Sequence, residues 1–310
     1  MKDGFFYLTS RSKLDRPLIE AELMAFAGVK PDRFGLGISP LKADISRSAF
    51  INFGAEMIFK GGDLEELKEY LSTVGISADG FAIKVERLGA HPGMGSPQMA
   101  GMIADLISGR PNLSRPKVRF LLAMEEDQVL FGKIFSEASR AWVKLSRKPH
   151  TTSSSIPHRL ARAMINLSGL KPPARLIDPC CGAGTILLEG AEMGYEVTGY
   201  DLNYKMIKAS LKNLAHFGLS GKVIQADARE IEGEFDLLVT DLPYGINMKA
   251  TEGLYRELLG NFVNLAPISI IAVARDISGM LKEAGYRSIR LLPAPKHSMT
   301  RYIFIARVST

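Results

Sequence analysis

The spacing of apolar positions divides the 310-residue chain into two halves of different character. In the first half, strand-like and helix-like runs follow one another without strict order. Phe5–Thr9 reads as a short strand, and Leu18, Ala21 and Ala25 recur at helical spacing within Leu18–Ala27, with Glu20 and Glu22 on another face. Phe50–Phe53 reads as a strand. Asp63 suits a helix N-cap, Glu65 and Glu66 suit a first turn, and the helix runs to about Val74. Phe81, Ile83 and Val85 alternate with Ala82, Lys84 and Glu86, which is strand period up to Arg87. A helix over Pro97–Ser108 and two strands, Val118–Met124 and Gln128–Phe135, around the turn residues Glu125–Asp127 complete an α+β pattern.

Between Trp142 and Pro157 the pattern stops, and a basic, hydroxyl-rich stretch containing Lys144, Arg147, Lys148, His150 and Thr151–Ser155 reads as a connection. From Ile156 helices and strands alternate: helix 157–168, strand 175–177, helix 184–193, strand 196–200, helix 204–217, strands 222–225 and 235–240, helix 252–264, strand 268–274, helix 277–284, and closing strands near 286–291 and 300–307. That alternation predicts a doubly wound α/β sheet. The chain thus divides into residues 1–60, 61–141, a linker over 142–155, and 156–310.

Composition narrows the class. At 46% hydrophobic and 23% charged the chain is an ordinary globular protein, and each half is long enough to bury a core. No segment approaches the length of a membrane span, and residues 1–16 lack the apolar centre of a signal peptide, so a cytoplasmic location is expected. The two cysteines, Cys180 and Cys181, are adjacent and poorly placed to bridge each other; zinc spacing is missing, and no metal is expected. A net charge of +6 favours polyanionic partners, although excess surface lysine gives the same number.

The candidate chemistry lies at the ends of the second-half strands, where a parallel sheet binds ligands. After strand 175–177 comes Asp178-Pro-Cys-Cys-Gly182-Ala-Gly184-Thr185, whose glycines let the backbone approach a ligand. The Lys-Ser/Thr ending of a phosphate loop and the third glycine of a dinucleotide loop are both missing, and a tight strand-to-helix turn is the plain alternative. Asp201 follows the next strand, 23 residues after Asp178, a position that suits ribose hydroxyls or a helix cap. Asp227 follows the third strand, where it suits an adenine amino group. Three acids at the ends of three successive strands describe an adenosine pocket.

The fourth strand ends in Thr240-Asp241-Leu242-Pro243-Tyr244-Gly245. An amino group conjugated to a base is a poor nucleophile. Asp241 and the Leu242 carbonyl suit acceptance of its N–H groups, which turns its lone pair toward a methyl donor. Asp241 or water takes the proton. Pro243 stiffens the loop, and Tyr244 suits stacking on an extruded base; out of context this stretch is an ordinary turn.

These residues resemble the class I, Rossmann-like S-adenosylmethionine-dependent methyltransferases over roughly 156–310. Asp178, Gly182 and Gly184 match the first motif, Asp201 the second, Asp227 the third, and Asp241, Pro243 and Tyr244 the fourth. Leu242 departs from the Asp/Asn-Pro-Pro-Tyr/Phe form of the amino-methylating group, a change that keeps a main-chain carbonyl. The resemblance implies a cofactor site that also takes in Cys181, Thr185, Leu202 and Ala228, beside Asp241. The stretch Ser155-Ile-Pro157 through Asn166 is similar to the segment before the first motif of tRNA guanine N2-methyltransferases, which implies that Ser155 and Pro157 lie over the methionine part of S-adenosylmethionine. Lys296–Arg301 resembles the turn between the last two strands of those enzymes; a polar hairpin is the alternative.

The first half resembles a THUMP RNA-binding module (61–141) preceded by a small ferredoxin-like domain (1–60). Together the halves resemble the THUMP-containing tRNA guanine-10 N2-methyltransferases in their archaeal form, which implies a tRNA partner and methylation of guanosine N2, most readily at position 10. Lys84, Arg87, Arg110, Arg115, Lys117, Arg147 and Lys148 are then candidates for RNA contact, through phosphates and 2′-hydroxyls. A monomer is expected, since no exposed apolar stripe stands out. The alternatives are another RNA amino group (ribosomal guanine N2 or adenine N6) and a non-catalytic RNA-binding protein with a degenerate methyltransferase fold. A sulfur-inserting tRNA enzyme would need an ATP loop that the chain lacks.

Overall fold

A computed structural model of the chain describes residues 4–89, 94–153, 155–242, 251–296 and 299–309. They form two compact units. The first comprises Met1–Arg11, Phe26–Ser46 and Phe50–Ala138; the second comprises Ser12–Ala25, Arg47–Ala49 and Ser139–Thr310.

The first unit is built on a six-stranded sheet of order β2-β1-β3-β6-β5-β4. Its strands are β1 (Phe5–Thr9), β2 (Leu36–Ser39), β3 (Ile51–Gly61), β4 (Phe81–Arg87), β5 (Val118–Met124) and β6 (Val129–Glu137). All pairings are antiparallel except β4 with β5. The division expected at residue 60 falls inside β3, which pairs with β1 along one edge and with β6 along the other as far as Gly61↔Val129. An 11-residue strand is long enough to serve both neighbours, so residues on either side of position 60 share one sheet. β5 is a near-continuous apolar run because both of its faces are covered. Phe120 and Leu122 face one cluster with Phe81 and Phe131; Leu121 and Ala123 face another with Phe6 and Phe53. Over the first cluster lie α2 (Leu64–Val74), through Leu67 and Leu71, and α3 (Ser96–Ala104), through Met99 and Ile103. Asp63 caps α2 by accepting from the Glu65 and Glu66 amides, as its position predicts.

In the second unit a seven-stranded sheet has the order β12-β13-β11-β10-β7-β8-β9. Its strands are β7 (Arg175–Asp178), β8 (Glu196–Asp201), β9 (Lys222–Gln225), β10 (Leu237–Asp241), β11 (Ile268–Val273), β12 (Ser288–Lys296) and β13 (Met299–Arg307). Five strands are parallel, and β12 and β13 close one edge as an antiparallel hairpin. The intervening helices are α5 (His158–Leu167), α6 (Thr185–Glu192), α7 (Tyr204–His216), α8 (Glu252–Leu265) and α9 (Ser278–Ala284). The chain runs outward over β7, β8 and β9 and then returns to the other side of β7 as β10. This reversal is the topological switch point, where the loops diverge and a crevice opens at the carboxyl ends of the strands.

The stretch expected to be an unstructured linker contains α4 (Ala141–Leu145), because Leu145 packs with Leu188 and Leu214. Two remote segments also belong to this unit. Glu22, on α1 (Arg16–Ala27), is fully buried and accepts from Ser48 Oγ at 2.7 Å, the Ala49 amide at 2.9 Å and Asn166 Nδ2 at 2.8 Å. Truncating it strands three donors away from water. Glu22→Ala is expected to destabilise the protein by about 3 kcal/mol, read as a lower midpoint in urea with an unchanged slope.

Candidate active site

The loop after β7 is set by carboxyls beneath it. Asp178 is 1% exposed, and its Oδ1 accepts from Thr240 Oγ1 at 2.9 Å and from the Cys180 amide at 3.2 Å. Burial pushes its carboxyl up to about 7 against those two hydrogen bonds. Asp201, at the end of β8, accepts from the Gly182 amide at 2.9 Å and the Asn203 amide at 2.8 Å. The cap of α7 is Asn203, so Asp201 is left to hold the glycine loop. Gly182 has φ +52°, and a Cβ built there meets nothing within 4 Å: the loop faces open space. Gly184 is different, since a Cβ there would lie 2.2 Å from Ser210 Oγ on α7.

Cys181 is buried and packs toward Gly199, where an added Cβ would meet its sulfur at 3.1 Å. Burial and the neighbouring Asp178 and Asp201 push both cysteine thiols up, so neither is a ready nucleophile. Leu202 is 64% exposed beside Asp201. Asp227 is engaged by Arg229, which donates to it through its amide, Nε and terminal nitrogen at 2.7–3.0 Å and holds its carboxyl below the usual range. Its neighbour Ala228 is buried, its carbonyl accepting from Asn261.

At the end of β10, Asp241 lies 3.6 Å from a terminal nitrogen of Arg301 through Oδ2. Its Oδ1 is excluded from solvent and has no hydrogen-bond partner among the described residues. Burial pushes this carboxyl up to about 7, with Arg301 opposing the shift. The Leu242 side chain is fully buried and its amide donates to the Ala272 carbonyl at 2.9 Å, which fixes the first residue of the loop. Pro243 and Tyr244 lie outside the described residues.

The segment before α5 is anchored to the glycine loop. Lys148, expected from the basic run to meet RNA, is instead buried and donates to Thr185 Oγ1 at the start of α6; burial brings its ammonium down to about 8. Asn213 of α7 holds both backbone groups of His150, at 3.0 and 2.8 Å, and donates to the Ala183 carbonyl at 2.8 Å. Sequence reasoning missed it, because a polar residue on an amphipathic helix gives no sign of partners 63 and 30 positions away. Ser155 Oγ accepts from the Thr152 amide at 3.2 Å, and Pro157 is the N-cap of α5.

In the first unit, Arg110, Arg115 and Lys117 share one loop, tied to the start of β4 by Gly80 N–H to the Arg110 carbonyl and Lys117 N–H to the Gly80 carbonyl. Lys84 and Arg87 lie further along β4, the edge strand of the sheet. Lys84, Arg110, Arg115 and Lys117 are exposed, and Arg87 is half-buried. Arg147 is exposed in the second unit.

A doubly wound sheet, a glycine loop open at Gly182, an acid at the end of each neighbouring strand and a solvent-excluded acceptor at the switch point define a class I S-adenosylmethionine-dependent methyltransferase. The residues fit that cofactor: the side-chain-free surface at Gly182 leaves room for it, and no basic residue among the four loop positions Cys181–Gly184 calls for a phosphate. Comparison with known proteins agrees. Residues 146–291 match the family described as RMKL-like, methyltransferase domain. The chain is 30% identical over 258 residues to the tRNA (guanine(10)-N2)-dimethyltransferase of Methanothermobacter thermautotrophicus, covering 78% of this chain and 77% of that one. It is 28% identical to the protein of the same name from Methanocaldococcus jannaschii, covering 64% of this chain and 59% of that relative's length. It is also 28% identical to the tRNA (guanine(6)-N2)-methyltransferase of Thermus thermophilus, with coverages of 67% and 65%. The crystal structure of TrmN from Thermus thermophilus shares the fold at a TM-score of 0.52 and 21% identity, covering 98% of this chain and 99% of that one. The chain belongs to the tRNA guanine-N2-methyltransferase family.

Two outcomes follow from this geometry. Asn213→Ala releases the pre-α5 segment and the Ala183 carbonyl together, and is expected to weaken S-adenosylmethionine binding by about tenfold, the loss of roughly one hydrogen bond's worth of order, in titration calorimetry. Asp178→Asn keeps an acceptor for both Thr240 and Cys180. The parent carboxyl has a raised folded-state pKa, so its contribution turns unfavourable as pH rises from the ordinary carboxylate range through about 7. The variant's stability relative to the parent is therefore expected to increase between pH 5 and pH 8, measured by urea denaturation at both.

Proposed function

We propose that the chain transfers a methyl group from S-adenosylmethionine to the exocyclic N2 of guanosine 10 in tRNA. The observation that carries the reading is the unpartnered, solvent-excluded Oδ1 of Asp241 at the switch point. An acceptor there binds one N–H of an exocyclic amine and orients its lone pair along the line of attack. When bound, the cofactor supplies an electrophilic methyl group on a positively charged sulfur. The loop from Cys180 to Gly184, held by Asp178 and Asp201, would cradle it, and Ser155 and Pro157 would cover its amino-acid end. With that methyl group transferred to nitrogen, the amine would give up a proton, which Asp241 or water would accept.

In this reading the first unit is the THUMP-containing module that holds tRNA, with Lys84, Arg87, Arg110, Arg115 and Lys117 on phosphates and Arg147 contributing from the second unit. The protein works as a monomer in the cytoplasm. Position 10 is favoured over position 6 because the relative with the larger aligned share is named for position 10.

The test is methyl transfer from labelled S-adenosylmethionine to unmodified tRNA transcript, followed by nucleoside analysis. N2-methylated guanosine is expected, lost when guanosine 10 is replaced and retained when position 6 is replaced. Asp241→Ala is expected to lower the rate by about 10²–10⁴-fold. Label that depends on position 6, or that appears in adenosine, overturns the assignment.

A further inference from the structure

Arg301 is the guanidinium nearest the reacting end of β10, and the sheet register explains how it arrives there. β10 pairs with β11 at Asp241↔Ala272, and β11 pairs with β13 at Ala272↔Ile303. Residues directly opposite in a sheet share a face, so Asp241, Ala272 and Ile303 form one row. Arg301 is two residues from Ile303 on the same strand and therefore projects from that face, one step nearer the carboxyl edge of β10. The intervening strand carries only the methyl group of Ala272 in this row, and a terminal nitrogen of Arg301 lies 3.6 Å from Asp241 Oδ2.

This residue is costly where it stands. It is 4% exposed, and Ile303, the next residue on the same face of the strand, is fully buried hydrocarbon. A buried ion pair seldom stabilises a fold better than apolar residues of similar volume. Stability alone favours a hydrocarbon at 301. One group its charge acts on is the Asp241 carboxylate, whose other oxygen has no hydrogen-bond partner among the described residues.

We infer that Arg301 is a positioning residue for methyl transfer: it holds Asp241 through Oδ2 and leaves Oδ1 open to the substrate amine. The inference rests on the function proposed above and deepens it. Among the described residues, the titratable and charged groups that act on Asp241 are Asp178 at the end of β7, Tyr255 on α8 and Arg301 on β13. Arg275, which lies 5.8 Å from the Tyr255 ring, is paired with Glu252. Among these, Arg301 is the opposite charge in contact with the carboxylate. Even with Arg301 present, burial carries Asp241 up to about 7. Without it the carboxyl holds its proton at neutral pH, and a protonated carboxyl neither orients the amine as a strong acceptor nor receives its proton.

The experiment compares the full-length protein with Arg301→Gln and Arg301→Lys. Single-turnover methylation of tRNA is followed from pH 6 to pH 9.5 at saturating cofactor. The Asp241 carboxyl is titrated separately by carbon NMR of aspartate-labelled protein, its signal assigned with Asp241→Asn. In Arg301→Gln the Asp241 midpoint is expected to rise by at least about one unit, with the rate down about tenfold near pH 7. The loss should largely disappear at pH 9.5, and Arg301→Lys, which keeps a positive charge, should recover much of it. Melting curves check that each variant is folded, and the lysine variant keeps the test alive should glutamine fail to fold. An unmoved Asp241 midpoint, or a rate loss equal at every pH, overturns the inference. If wild-type protein titrates as described but methylates no guanosine in tRNA, the proposed function fails, while the carboxyl titration still decides what Arg301 does.

Discussion

At their carboxyl ends, the Thr240 hydroxyl donating to Asp178 Oδ1 ties together the two strands on which the site depends. The backbone pairing of β7 with β10 covers only Leu176↔Leu237 and Ile177↔Leu238, after which the ladder ends. This is the switch point, where the chain leaves β7 toward one side of the sheet and β10 toward the other, and the strands have no further main-chain reason to stay in register. Asp178 and Thr240 extend the pairing by one more step with side chains. Asp178 also accepts from the Cys180 amide. One buried carboxyl thus sets the start of the glycine loop on one strand and the residue before Asp241 on the other. The crevice can open for a ligand without loss of the distance between cradle and acceptor.

That arrangement collects negative charge in a place that resists it. Burial pushes Asp178 and Asp241 up to about 7, and Asp178 feels both Asp241 and Asp201. A fold that gathers acids at one edge, and keeps basic residues out of the loop itself, favours a positively charged ligand over a phosphate. A sulfonium with an amino-acid end is such a ligand. Lys148 is buried and spends its charge on Thr185, in the first turn of α6, rather than on the open surface at Gly182.

Much of this was legible in the sequence because it is local. The acids at 178, 201 and 241 stand where apolar strands end, and the period of two or of 3.6 residues located nearly every element of the second unit. The failures are equally physical. β2 is four residues long and contains Gly37, too short for alternation to register. β12 was expected to stop near 291 but continues through Pro293 and Pro295 to Lys296. It is an edge strand, and prolines two apart turn their missing amides to the same outer side, where no partner needs them. The boundary at residue 60 failed because β3 carries Gly54 and Gly61 and loses its apolar alternation halfway, while its pairing with β6 continues.

What the sequence concealed is a class of residue rather than a scatter of errors. Lys148, Asn213 and Arg301 are buried polar side chains whose partners are 37, 63 and 60 positions distant. Periodicity reports which face of an element is apolar; it does not report that a charge on that face meets its complement across the fold. Each of the three also acts at second hand. Lys148 and Asn213 hold the cradle through Thr185, His150 and Ala183, and Arg301 holds the acceptor through Asp241 Oδ2. The residues that meet a ligand stand at strand ends and are found by position, whereas those that make the geometry fast are specified only by the folded sheet. A chemistry that works by positioning a weak nucleophile depends on both sets, so substitutions at the concealed positions should act on the rate even where every motif residue is intact.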